Sequence, residues 1–95
     1  MIFKDKKILV LGAGISGISV ANVLQQEGAI VCLSDSKKIE NINNNLSCLI
    51  DIGVVLKLGN QSEDILNDID YMVISPGVSI NAPLVKKAQE KGIIV

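Results

Sequence analysis

A chain of 95 residues with nine basic and ten acidic side chains has a formal net charge of -1, which gives no electrostatic footprint for a nucleic acid or an acidic membrane. Its 48% hydrophobic content supports the core of one small domain, and with Phe3 and Tyr71 as the aromatics that core is built from Ile, Leu and Val. Histidine is absent and Cys32 and Cys48 lack CxxC spacing, which excludes a zinc site, a Cys-His nucleophile pair and a Ser-His-Asp triad within these residues.

The start, MIFKDKK, lacks the charged region, apolar stretch and cleavage site of a signal peptide. KILVL, residues 7–11, is a continuous apolar run, the pattern of a strand buried on both faces of a parallel sheet. A glycine turn, GAGISG, follows at residues 12–17. Ser19, Asn22, Gln25 and Gln26 then recur as a polar face opposite Gly14, Gly17, Ala21 and Leu24, which predicts a helix stopped by Gly28. AIVCLSD, residues 29–35, is a second buried strand. The two cysteines sit in apolar surroundings and are expected to be buried, reduced core thiols.

Ile39, Ile42, Leu46 and Leu49 step at helical spacing toward Gly53 and predict a second helix, although Asn41, Asn43, Asn44 and Asn45 are poor helix formers. VVLKLG predicts a third strand. Asn60 and Glu63 have capping-box spacing before a short helix running to about Asn67. DYMVIS, residues 70–75, is a fourth strand and PGVSINAP a loop. Pro83 suits the first turn of a last helix over residues 84–91, Gly92 stops it, and IIV begins a fifth strand. No apolar run approaches the roughly 20 residues of a membrane span, so a cytoplasmic location is expected.

Strands alternating with helices predict an α/β domain with parallel strands and right-handed crossovers. The expected fold is a small doubly wound, Rossmann-like sheet of five strands in order 3-2-1-4-5, with helices on both faces. All 95 residues form one domain in this reading, and the fifth strand looks like the edge of a larger protein.

Ligands of such sheets bind beyond the carboxyl ends of the strands, where the strand order reverses. GAGISG, SDSK and SPGVS meet there in the expected fold. The spacing G-x-G-x-x-G between a strand and a helix fits a diphosphate on a helix N-terminus. Gly12 allows the tight turn, Gly14 lets backbone N–H groups approach the diphosphate, and Gly17 lets the helix press on the sheet. Ile15 and Ser16 offer backbone amides. Asp35, at the end of the second strand, stands where dinucleotide enzymes bind ribose hydroxyls. Lys37 offers a charge to a phosphate or a stem to a base. Pro76 and Gly77 are favoured at the centre of a tight turn. These features admit an NAD(P)-dependent oxidoreductase, although nothing in NAD binding demands Ser-Pro-Gly. A nucleotide-sensing module is a third possibility.

Taken together, ILVLGAGISGISVA, LSDSK and above all VISPGVSINAPLVKKAQEKGI resemble the N-terminal domain of the MurD branch of the Mur ligases of peptidoglycan synthesis. The resemblance covers essentially the whole chain, and Ser-Pro-Gly points to the branch that adds D-glutamate rather than the one that adds L-alanine.

The resemblance implies that the glycine turn, at Gly14, Ile15, Ser16 and Gly17, holds the diphosphate of UDP-N-acetylmuramoyl-L-alanine. It implies that Asp35, Ser36 and Lys37 hold the uracil and that Ser75, Pro76 and Gly77 flank it. The family often has arginine where this chain has Lys37, which keeps the charge and loses the flat guanidinium. ATP-dependent amide formation, with magnesium and a carbamylated lysine, belongs in the family to a central domain, and a C-terminal domain completes the ligase. No Walker sequence occurs here, so the chain alone is expected to be non-catalytic, without cofactor or metal, and to depend on those domains as partners.

Overall fold

A computed structural model describes residues 3–38, 40, 46–59, 62–78 and 81–95. The described elements run β1 (Lys7–Leu11), α1 (Ile15–Gln26), β2 (Ile30–Asp35), α2 (Ser47–Asp51), β3 (Val55–Leu58), a 3-10 turn (Glu63–Leu66), β4 (Tyr71–Ile74) and α3 (Pro83–Glu90). The strands form one parallel sheet in the order β3-β2-β1-β4.

β1 lies inside this sheet because it can bury both faces. It pairs with β2 from Lys7–Ile30 to Leu11–Ser34, and with β4 from Ile8–Tyr71 to Leu11–Ile74. Its side chains alternate between two cores. Ile8 and Val10 join Val31 and Leu33 under Ala21 of α1 and Leu49 of α2. Leu9 and Leu11 join Met72 under Leu66 of the 3-10 turn and Val85 and Ala88 of α3. Each fully buried aliphatic chain contributes about 2 kcal/mol of transfer free energy. The helices therefore cover both faces, as expected.

The sheet has four described strands, not five. Residues 93–95 make a single bridge, Tyr71–Ile94, in which the Met72 N–H donates to the Ile94 carbonyl at 2.7 Å. Val95 is 44% exposed, and one bridge does not propagate into a ladder.

Three further expectations are adjusted. The second helix is described only at Ser47–Asp51, with Leu46 as its cap, while Ile39 and Ile42 and the asparagines at 41 and 43–45 lie outside the described residues. Asn60 also lies outside them, and the third helix is a 3-10 turn that starts after Ser62. Cys48 is exposed, because Leu49 takes the core position of that short helix. Cys32 is half-buried, and both thiols are free.

Gln25, placed on the polar face of α1, has a structural task. Its Nε2 donates to the Ile52 carbonyl at 3.1 Å and its Oε1 accepts the Val31 N–H at 3.0 Å. One side chain thereby ties α1 to β2 and to the end of α2.

Candidate nucleotide site

The order β2-β1-β4 places the chain's reversal point at the carboxyl end of β1. Three loops meet there around an open cleft of about 470 Å³. The glycine turn supplies Gly14, Ile15 and Ser16. The loop after β2 supplies Asp35, Ser36 and Lys37. The loop after β4 supplies Ser75, Pro76 and Gly77. A smaller hollow of about 230 Å³ continues past Asp35, Ser36 and Gly77 toward Ala82 and Leu84.

The glycine turn is fixed by its neighbours. Gly12 has φ +100° and donates its N–H to the Ser34 carbonyl at 2.7 Å. A Cβ on it would meet the Ser75 Cβ at 2.9 Å, so both conformation and space require glycine. Gly14 caps α1 in extended backbone, and no side chain caps the helix. The first N–H groups of a helix have no intrahelical acceptor, and the aligned peptide dipoles place about half a positive charge there. The first turn of α1 carries no acidic side chain to neutralise it. The chemistry on offer at this wall of the cleft is anion binding by backbone N–H groups.

Gly17 is the one expected site residue that does not line the cleft. It is buried beneath it, where a Cβ would stand 1.9 Å from the Gly12 carbonyl oxygen. That tight packing matches the role read for it from the residues themselves, of letting the helix press on the sheet. Gly14 is the opposite case. Nothing lies within 4 Å of its Cβ position, so the fold itself leaves that space open to the cleft.

Asp35 has its carboxylate turned onto backbone. Oδ2 accepts the Ala13 N–H at 2.8 Å, and Oδ1 accepts the Lys37 N–H at 2.9 Å. Lys37 itself is exposed. The Ser75 hydroxyl also points inward and donates to the Gly12 carbonyl at 3.2 Å. Ser75 to Val78 form a tight turn closed by the Val78 N–H on the Ser75 carbonyl at 2.9 Å. Gly77 does not take a positive φ there, and a Cβ on it would meet nothing within 4 Å. The turn was legible, but glycine is not its conformational requirement.

Val78 also lines the cleft and was not singled out from sequence. Its signal was an apolar residue directly after a Pro-Gly turn at a strand's carboxyl end. Among the described residues no group of three or more Cys, Asp or Glu could hold a metal ion. No helix among them is long and apolar enough to cross a membrane.

A parallel α/β sheet with an uncapped helix start at its reversal point defines the Rossmann-like class. One solved neighbour of that class is shikimate dehydrogenase from Aquifex aeolicus, with a TM-score of 0.60 at 27% identity, covering 97% of this chain and 42% of that one. Residues 6–95 match the N-terminal domain family described as Mur ligase MurD-like. The chain belongs to that family.

Its curated relatives include proteins named UDP-N-acetylmuramoylalanine–D-glutamate ligase. The one from Koribacter versatilis is 39% identical over 92 residues, covering 97% of this chain and 20% of that protein. The one from Caldanaerobacter subterraneus is 38% identical over 93 residues, covering 98% and 21%. The one from Streptococcus pneumoniae is 40% identical over 94 residues, covering 98% and 21%. The chain spans about a fifth of the length of these relatives.

Proposed function

We propose that this domain holds the UDP part of UDP-N-acetylmuramoyl-L-alanine for the ATP-dependent addition of D-glutamate in peptidoglycan synthesis. The observation that carries the reading is the convergence, in a family member, of the glycine turn, the Asp35–Lys37 loop and the Ser75–Gly77 turn on one cleft. The diphosphate rests on the N–H groups at Gly14, Ile15 and Ser16, against the uncapped start of α1. The uracil lies between Ser36 and Lys37 on one side and Pro76 and Gly77 on the other, with Asp35 and Ser75 beneath.

ATP and magnesium act in this reading on a central domain within the four-fifths of the relatives that this chain does not span, and a C-terminal domain completes the enzyme. The described residues offer magnesium no ligand cluster, and no chemical step is assigned to this domain. The domain alone is non-catalytic, and its setting is the bacterial cytoplasm.

The alternative, a dinucleotide cofactor domain, draws on the likeness to shikimate dehydrogenase. The match of residues 6–95 to the MurD-like family, with relatives about 40% identical against 27% for that neighbour, weighs against it.

The test is a chemical-shift titration of the domain with UDP-N-acetylmuramoyl-L-alanine, UDP and NAD. Shifts at Gly12–Gly17, Asp35–Lys37 and Ser75–Gly77 with the uridine ligands are expected, at low affinity. A response to NAD alone overturns the reading.

A further inference from the structure

Two of the three loops around the cleft are joined by one carboxylate. The Ala13 N–H belongs to the glycine turn and the Lys37 N–H to the loop after β2. They are separated by the whole of α1 and β2 in sequence. Asp35 lies between them and accepts both, at 2.8 and 2.9 Å. Hydrogen bonds to an ionised acceptor are the strong ones, and these two leave from opposite oxygens of one rigid group. The glycine turn is held from its other side by the Ser75 hydroxyl on the Gly12 carbonyl.

We propose that Asp35 is a positioning residue: its carboxylate locks the glycine turn and the Ser36–Lys37 loop into one unit, so that the N–H groups facing a diphosphate and the loop facing a base are set before ligand arrives. The proposal rests on the nucleotide reading and assigns Asp35 a task distinct from touching the base. The benefit is preorganisation. A loop already held in its bound shape gives up less freedom on binding. The lock also couples the two ends of the ligand. Loosening it weakens the grip on the phosphates, although the carboxylate itself is an anion and would be a poor phosphate contact.

The experiment compares the unaltered chain with Asp35→Ala and Asp35→Asn. Alanine removes both acceptors, while asparagine keeps one oxygen and turns an NH2 toward the other N–H. In ligand-free protein, the Ala13 and Lys37 amide protons are expected to move upfield and exchange faster in Asp35→Ala, and at least one of them in Asp35→Asn. Affinities for inorganic diphosphate and for uridine are both expected to fall, by about tenfold in Asp35→Ala. Thermal unfolding, followed alongside, separates a loosened site from a lost fold.

Unmoved Ala13 and Lys37 amides overturn the proposal. So does a fall in uridine affinity with inorganic diphosphate affinity unchanged, which marks direct contact with the nucleoside. If both variants fail to fold, the hydrogen-bond scalar couplings from the Ala13 and Lys37 nitrogens to the Asp35 carboxylate carbon decide in the unaltered chain. Their presence supports the lock and their absence overturns it. If the unaltered chain ignores UDP, diphosphate and uridine while its amides report the lock, the nucleotide reading fails and the lock stands.

Discussion

Gly17 is packed so tightly on Gly12 that a Cβ at residue 17 would stand 1.9 Å from the Gly12 carbonyl oxygen and 2.6 Å from the Ser75 Oγ. That carbonyl is backbone and already accepts the Ser75 hydroxyl. It has no room to yield. Gly17→Ala is therefore expected to cost about 3 kcal/mol or more, since overpacking against backbone displaces a helix rather than a side chain. Urea unfolding followed by circular dichroism measures it. A variant as stable as the unaltered chain would show that α1 can lift from the turn.

Gly14→Ala should behave in the opposite way. Residue 14 has φ -79°, and its Cβ position has no neighbour within 4 Å. Alanine is a poorer helix cap than glycine, so the stability cost is about 1 kcal/mol or less. The methyl group would instead occupy the space in which a diphosphate approaches the backbone. UDP affinity is expected to fall by about tenfold, the scale of 1.4 kcal/mol in binding free energy. Calorimetric titration of the folded variant reads it. Unchanged affinity would move the diphosphate away from Gly14.

Gln25→Leu tests the side chain that joins α1, β2 and the end of α2. The substitution leaves the Val31 N–H and the Ile52 carbonyl without the partners that Gln25 provides. Removing one partner from a part-buried hydrogen bond costs about 1–3 kcal/mol. A loss in that range is expected in chemical denaturation, without a change in UDP affinity, because Gln25 does not line the cleft.

The cysteines give a chemical readout. Burial pushes the Cys32 thiol above its ordinary value, with the charge of Lys57 acting in the other direction. A raised folded-state value means that the native protein holds its proton more tightly than the unfolded chain. The stability linked to this group is present below the ordinary thiol value of 9.0 and declines as pH rises through the folded value. The unfolding midpoint of the unaltered chain should fall more steeply between pH 9.0 and that folded value than that of Cys32→Ala. At neutral pH an aromatic disulfide reagent should label exposed Cys48 quickly and Cys32 slowly. Equal labelling rates would contradict the burial of Cys32.

Much of the scaffold was readable because its signals are local. ILVL, residues 8–11, is continuously apolar and forms the part of β1 shared by both cores. Pro83 and Gly92 bracket α3 by their backbone constraints alone. The meeting of three distant loops followed from a topological rule applied to that scaffold. Side-chain direction at the site did not follow. That Asp35 would turn onto Ala13 and Lys37, and Ser75 onto Gly12, depends on contacts across the sheet that no spacing encodes. The missing fifth strand has the same origin. IIV has strand propensity, but a ladder also needs successive positions facing β4, and only Ile94 has one. Cys48 misled because an apolar sequence neighbourhood does not say which side of a single helical turn faces inward.

The single bridge between Tyr71 and Ile94 also grades the molecule's resistance to fluctuation. Among the described residues of the sheet, amide protection should be greatest along β1, enclosed by ladders on both sides, and lower at residues 93–95. The cleft straddles that gradient. Its floor grows out of the slowest-opening strand, while Pro76 and Gly77 follow β4, at whose outer edge the terminal bridge lies. One wall of the site is thus anchored in the part of the described sheet that opens last, and the other leads toward its weaker edge.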